Sequence, residues 1–354
     1  MKTLLTVAAF FVVSAASAQS VNRISSAHKL VRNNTRAEII IPDIAGYQSL
    51  KGDFHLHTIF SDGSVMPADR VAEAWTNGLD VIAITDHIEY RPNKDFVLGD
   101  HNRSYEMAKK SAQDMGILLV KASELTTDKP KGGHINALFV TDSNPLERAK
   151  DSPDLTTAVD EAVRQGAYLL WNHPGWAIDS CIMFPLNEKW IKEGKIKGVE
   201  VFNETDYYPR AATWVKEMKI TPFANTDAHG MKSDFYRADV YPPFNIVLAR
   251  ERTLEGVREA MFAGRVIAVF DGQAVATPEL LKALFEACVE FKHITGDNYE
   301  VTNISDIPFD ISSKQLSCKL MPRTTMRFKA KGSFAAEITN LHIDENSNLQ
   351  VTIL

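Results

Sequence analysis

Six histidines and three carboxylates in this chain stand where short apolar runs stop, or in the turn just after one: His55, His57, Asp62, His87, Glu124, His134, His173, Asp227 and His229. Neutral imidazole and carboxylate without thiolate form a donor set suited to zinc, manganese or iron. Two of the motifs are paired. In Asp53-Phe54-His55-Leu56-His57-Thr58, alternate side chains of an extended chain share a face, so His55 and His57 point one way while Phe54 and Leu56 pack the other. Thr226-Asp227-Ala228-His229 repeats that geometry, and Ser61-Asp62-Gly63 supplies a carboxylate in the turn after the first pair. The others are single: Thr85-Asp86-His87, Ala122-Ser123-Glu124, Gly132-Gly133-His134 and Asn172-His173-Pro174. Each has an ordinary reading alone, as a turn, a helix cap or a hydrogen-bonded rim residue. For that reason His28, His101, His293 and His342 are set aside. The combination is what points to a metal site built on many strand ends.

The elements that must carry these residues alternate. Apolar runs suggest strands at 81–84, 117–120, 135–140, 168–171, 198–202, 223–225 and 246–248, with an earlier strand over 37–41 ended by Pro42. Helical spacing suggests helices at 67–77, 101–115, 155–165, 209–218 and 254–263, with Gly78, Gly116, Gly166 and Gly264 as stops. Alternating β and α segments argue for a parallel sheet. The polar residues follow at least five different strands. An open sheet gathers its ligand at one switch point, whereas a closed barrel brings every strand end to one mouth, so a barrel is expected. Beyond Gly272 the texture changes to one amphipathic helix, 278–291, and then short alternating runs at 299–304, 315–320, 325–330, 335–338 and 349–354.

With 354 residues the chain can bury a large core and hold more than one unit. A formal net charge of −6 leaves no electrostatic footprint for nucleic acid. Lys2, the apolar stretch from Leu4 to Val13 and the small-residue site Ala16-Ser17-Ala18 read as a secretory signal peptide, too short to span a membrane. Export to a bacterial periplasm is therefore expected, with residues 1–18 as signal, 19–48 as an arm, 49–274 as the metal-dependent domain and 275–354 as a helix plus a small all-β unit. Cys181, Cys288 and Cys318 have no Cys-x-x-Cys spacing, and buried free thiols are the default. Nothing in the composition sets an oligomeric state.

The run His55-Leu56-His57-Thr58 with Ser61-Asp62-Gly63, then Thr85-Asp86-His87, Glu124, His134, Asn172-His173-Pro174 and Thr226-Asp227-Ala228-His229, resembles the PHP family (polymerase and histidinol phosphatase domains) over residues 50–270. The resemblance implies an α/β fold, a distorted (β/α)7 TIM-like barrel, and a site for two or three divalent ions. One ion would take His55, His57, Glu124 and Asp227, a second Glu124, His134 and His173, and a third Asp62, His87 and His229. Some branches of the family place a histidine where Asp62 stands. Glu124, Asp227 and His229 are the residues expected to carry the reaction. Asp86 either orients an imidazole or closes its strand with hydrogen bonds.

The implied activity is hydrolysis of a small organic phosphate ester, with a metal-bridging hydroxide as nucleophile and a diester as the favoured substrate. A phosphomonoesterase of the histidinol-phosphatase type, a catalytically silent metal-binding module and an amidohydrolase are the competing readings. Arg91 and Arg210 are candidates to hold the phosphate, with Arg103 and Lys232 behind them, and Trp176, Phe184 and Tyr207 are candidates to line an ester pocket. No nucleic-acid or membrane partner is expected.

Overall fold

The runs Val-Ile-Ala-Ile and Tyr-Leu-Leu-Trp are strands buried at every position, as runs flanked by helices on a sheet must be. The structure, a computed structural model, describes residues 35–149, 151–237 and 240–354. The expected signal peptide and the first part of the arm lie outside the described residues. Residues Arg36–Leu354 form one compact unit.

In chain order the elements are β1 (Gln48–Asp53), α1 (Pro67–Thr76), β2 (Val81–Ile84), α2 (Arg103–Met115), β3 (Leu118–Thr126), β4 (His134–Leu138), α3 (Thr156–Arg164), β5 (Tyr168–Trp171), α4 (Pro185–Lys192), β6 (Ile196–Asn203), β7 (Asp206–Tyr207), α5 (Pro209–Met218), β8 (Thr221–Asn225), β9 (Phe244–Ala249), α6 (Leu254–Phe262) and β10 (Val266–Phe270). There follow β11 (Gln273–Val275), α7 (Pro278–Cys288), β12 (Val289–Thr295), β13 (Asn298–Asn303), β14 (Phe309–Ser312), β15 (Ser317–Leu320), β16 (Thr325–Lys329), β17 (Phe334–Asp344) and β18 (Ser347–Ile353).

Local chemistry accounts for the helix ends. A proline, whose fixed φ suits the first turn and whose missing N–H would be unpaired there anyway, opens α1, α4, α5 and α7. Thr253 and Thr277 cap α6 and α7 by accepting from the backbone N–H three residues on. Gly116 ends α2 at φ 67°, a left-handed conformation that other residues reach only with strain.

The fold is mixed α/β, but the sheet is not all-parallel. β1, β2 and β3 are parallel, β4 runs antiparallel to both β3 and β5, and β5, β6 and β8 are parallel again. β9 and β10 continue antiparallel beyond β1. The ladders do not close into a barrel among the described residues: β8 is laddered only to β6. At the rim one bridge, Leu56 with Ala228, joins the extensions of β1 and β8. Below it, side chains take the place of ladder rungs. The Asn245 amide accepts from Ala224 N and donates to Ala224 O, and Asn225 Oδ1 accepts from Phe54 N.

Several boundaries differ from expectation. Residues 37–41 form no strand; Ile40 instead exchanges hydrogen bonds with Asp306 through its backbone. α4 and β10 carry no expected element, and the expected helix 278–291 stops at Cys288, where the chain turns into β12. The C-terminal strands are not isolated. β17 pairs in parallel with β11, and the core cluster that contains Ile82 and Ile246 also contains Leu281, Phe285 and Ile338. The three cysteines are free.

Candidate metal centre

All nine candidate ligands meet at one end of the sheet. Four of them surround a single point. Among His55 Nε2, His57 Nε2, Glu124 Oε2 and Asp227 Oδ1, the two imidazole nitrogens are 3.1 Å apart, and each lies 3.0–3.4 Å from both carboxylate oxygens. Ligands about 2.1 Å from one tetrahedral ion would be separated by about 3.4 Å, and somewhat less at higher coordination. Glu124 Oε2, Asp227 Oδ1 and Asp62 Oδ1 are buried and accept no hydrogen bond. A buried carboxylate oxygen without a donor is costly, and a cation removes that cost. The residues present therefore fit divalent ions.

Glu124 is shared. Its Oε1 lies 3.1 Å from His134 Nδ1 and 3.8 Å from His173 Nε2, and its Oε2 lies 2.9 Å from His87 Nδ1. His57, Asp62, His87 and His229 form a further group, with Asp62 Oδ1 at 3.3 Å from His229 Nε2 and Asp62 Oδ2 at 3.6 Å from His87 Nε2. His87 thus faces both Glu124 and Asp62, and His57 belongs to two groups, which extends the partition expected for a second and third ion.

The topology explains how His134 arrives here from the start of its strand. Because β4 is antiparallel to its neighbours, its N-terminal residue lies at the rim reached by the C-terminal ends of the parallel strands. Glu124 lies within β3 rather than after it, bridged to His87. His173 and Asp227 leave their strands at φ 24° and 50°. Left-handed backbone at non-glycine residues is strained and is kept where the surroundings enforce it.

The electrostatics report concentrated negative charge. Burial resists ionisation of His87, but Glu124 and Asp62 outweigh it and raise its pKa to about 10. Burial likewise opposes charge on His55 and His229, and Asp227 and Asp62 respectively still draw protons onto them. His57 goes the other way, to about 4, because burial dominates and charged His87 repels a second proton. Burial raises Glu124 and Asp227, yet the surrounding imidazoles hold both far below the usual carboxylate range. Protons held on imidazoles in this way occupy the place of metal cations.

A second set of residues holds the ligands, and the sequence reading missed most of it. Glu200 is fully buried and accepts from four donors: His55 Nδ1 at 2.8 Å, His173 N at 2.7 Å, Asn203 Nδ2 at 2.8 Å and Asn225 Nδ2 at 2.9 Å. The signal was there, a carboxylate in the middle of the apolar run Gly198–Phe202. Asn172 Nδ2 donates to Glu124 Oε1 at 2.7 Å. Buried Arg70 donates to the carbonyls of His57 and Ala228, tying the two paired motifs together. Asp86 accepts from Thr58 N, Thr58 Oγ1 and Ser61 Oγ, so it closes the 57–63 turn and reaches His57 only through Ser61.

The phosphate-binding candidates are not brought to the cluster. Arg91 donates to the carbonyls of Phe60 and Gly99, and Arg210 pairs with Glu345 on the protein surface. Lys232 is buried against Asp53 at 2.7 Å. Long side chains on loops satisfy the nearest acceptor, which sequence position does not identify. Tyr207 stacks between Phe202 and His342, and Phe184 packs into the core. Trp176 does line the metal cavity of about 380 Å³, with Tyr90, Asn203 and Glu204.

A two-domain protein from Bacteroides vulgatus containing a predicted PHP-like metal-dependent phosphoesterase superposes with a TM-score of 0.86 at 35% identity, over 91% of this chain and 99% of that one. The chain belongs to the PHP-like metal-dependent phosphoesterases. The nine residues fall into groups whose donor atoms lie close enough to share an ion, and divalent metal binding follows from that donor chemistry and the unpaired carboxylate oxygens together. A protein from Bifidobacterium adolescentis described as a candidate metal-dependent phosphoesterase matches at 16% identity with a TM-score of 0.45, over 60% of this chain and 96% of that one. An uncharacterized protein of Methanocaldococcus jannaschii is 37% identical over 82 residues, 23% of this chain and 36% of that protein's length. No family model matches the chain.

Proposed function

We propose that this PHP-family protein is an exported phosphodiesterase acting on small organic phosphate esters. The observation that carries the reading is the convergence of three buried carboxylate oxygens, each without a hydrogen-bond donor, among six imidazoles at one end of the sheet. When bound, zinc, manganese or iron ions would polarise the phosphoryl oxygens and lower the pKa of water toward ~7. Hydrolysis adds water to phosphorus as one P–O ester bond breaks; the alcohol leaves with a proton and a monoester remains.

The chain's own groups hold this chemistry in place. Glu124, fixed by Asn172, would supply a carboxylate to the bound ions. Asp227 is oriented by Asn203 at 3.4 Å, and His229 stands at the rim with Nδ1 held 2.7 Å from Asp227 O. Tyr90 and Trp176 wall the cavity on either side of the His87–His134 pair. Among the described residues no lysine or arginine belongs to its wall, and the cation beside it, Lys129, donates to His173 O at 3.0 Å and lies 5.7 Å from the Trp176 ring. A diester, with one negative charge, needs less cationic compensation than the dianion of a monoester, and this supports the diester reading. We read the curled sheet as a distorted barrel left open at the β8/β9 seam, and the segment from Lys2 to Ala18 as the export signal.

The test is turnover of bis(p-nitrophenyl) phosphate against p-nitrophenyl phosphate, with elemental analysis of protein purified without chelators. Two or three divalent ions per chain and at least a tenfold preference for the diester are expected. Preference for the monoester would establish the histidinol-phosphatase type instead. Bound metal with no ester turnover would leave a metal-binding module.

A further inference from the structure

The turn between β3 and β4 carries two lysines that are used differently. In Asp128-Lys129-Pro130-Lys131, Lys131 pairs with Asp128 on the surface, where both are exposed. Lys129 is half-buried and forms no ion pair with a carboxylate among the described residues. Its Nζ instead donates to His173 O at 3.0 Å and lies 5.7 Å from the centre of the Trp176 ring. A carbonyl and an aromatic face both attract an ammonium group, and the hydrogen bond is strengthened by its charge. The contact joins residues 44 positions apart, from the segment that leads into His134 to the ligand that ends β5.

One end of this contact is rigid. Asp128 O accepts from Lys131 N at 2.9 Å and from Gly133 N at 3.1 Å, and Lys129 O accepts from Gly132 N at 3.1 Å. Buried Asn187 donates to Gly132 O at 2.9 Å. A Cβ on Gly132 would meet the Trp190 ring at 3.1 Å, so the turn sits close against the core. The other end is held by little else. His173 stands in left-handed backbone at φ 24°, a conformation that persists where neighbouring contacts enforce it. Its N donates to Glu200 Oε2 at 2.7 Å, and its O accepts from Trp176 N at 3.0 Å and from Lys129. Among the described residues, no hydrogen bond reaches residues 174–183 from beyond His173. Lys129 is therefore the one donor to the His173 carbonyl that comes from outside the loop.

We infer that Lys129 is a positioning residue of the metal centre, a strut from the turn before His134 to the carbonyl of His173 that keeps the two imidazoles where Glu124 can share ions with them and fixes Trp176 as a wall of the cavity. This rests on the metal-dependent reading and adds a residue to it. The His134 and His173 rings are 4.8 Å apart, and Glu124 Oε1 lies 3.1 Å from one and 3.8 Å from the other. Trp176 packs on both, at 5.6 Å and 5.4 Å. Without the strut, the His173 carbonyl keeps only the donor from its own loop, and the strained backbone is free to relax and turn the imidazole away.

The test compares the wild type with Lys129→Met, which keeps length and removes the charge and donors, and with Lys129→Arg, which keeps both. Each protein is stripped with chelator and titrated with zinc against a chromophoric chelator, and hydrogen exchange over residues 173–184 is followed in the zinc-free state. Lys129→Met is expected to weaken zinc binding about 10–100-fold, as removal of a ligand's support does. It should also exchange faster over 173–184, while the melting temperature of the zinc-free protein stays within about 3 °C of the wild type. Lys129→Arg should retain most of the affinity. Zinc affinity and exchange in Lys129→Met equal to those of the wild type would overturn the inference and leave the metal centre intact. Equal zinc affinity with loss of bis(p-nitrophenyl) phosphate turnover would also overturn it, because Lys129 would then hold the substrate and not a ligand. A wild type that binds no zinc, manganese or iron overturns the metal-dependent reading itself.

Discussion

Glu124 illustrates why single residues dominate this site. It is completely buried, and its two oxygens face His134, His173, His87, His55 and His57. Its own position depends on Asn172. Glu200 plays the supporting part for His55, by the imidazole–carboxylate pairing that raises ligand basicity. Glu200→Gln should therefore lower metal affinity about 10–100-fold with little change in fold, read by competition with a chromophoric chelator. Metal affinity should also depend on pH. His87, held at about 10, must lose its proton to bind a cation, so affinity rises as pH increases from 6 to 9, with proton release measurable by calorimetry in buffers of different ionisation enthalpy. In chelator-treated protein the sign reverses for stability. The folded-state pKa of His87 is raised, so its contribution is full below the unfolded value near 6.5 and is lost as pH rises toward about 10. The melting temperature of the metal-free protein should fall across that window, and metal should restore it.

Elements place these residues by means that single-residue reasoning does not reach. The turn from His57 to Gly63 is one. A Cβ on Gly63 would lie 2.8 Å from His57 C and Thr58 N, backbone atoms that cannot move without shifting His57. Gly63→Ala should accordingly lower bound metal in elemental analysis, by displacing both Asp62 and His57. The loop after β8 is another. It is anchored by Lys232 Nζ on Asp53, which also accepts from Thr226 Oγ1 at 2.6 Å. Lys232→Met would leave a buried carboxylate without its cation, a loss of about 3–5 kcal/mol, visible as a shifted urea midpoint. Surface pairs such as Arg210–Glu345 are half-exposed, and their removal should change stability by less than about 1 kcal/mol.

At the scale of the whole molecule, the C-terminal strands supply none of the cavity-lining residues among those described, yet they are part of the packing that holds the cavity. β11 joins β10 to β17, and the helix α7 sends Leu281, Leu284 and Phe285 into the core that also holds Leu56 between the two histidines of the first pair. Truncation after Phe270 should remove no ligand but expose this core. The expected result is aggregation or a loss of cooperative unfolding by circular dichroism, with metal binding lost as a consequence. A truncated protein that stays soluble and keeps its metal would show that the C-terminal unit is energetically separate.

The local code of the chain was sufficient for much of this. Side-chain alternation put His55 with His57, proline and threonine set helix starts, and the ends of short apolar runs marked the ligands, whereas Asp227 leaves its strand in left-handed backbone and joins His55 and His57. These are properties of a few neighbouring residues, and neighbours are what a sequence displays. The tertiary structure decided the rest: that β4 runs backwards and so delivers His134, that Glu200 and Arg70 hold the ligand motifs from behind, and that Arg91, Arg210 and Lys232 spend their charge on other partners. Those outcomes depend on which long-range acceptor lies nearest a buried or flexible group once the sheet has curled, a distance set by packing between segments more than a hundred residues apart, such as Asp53 and Lys232.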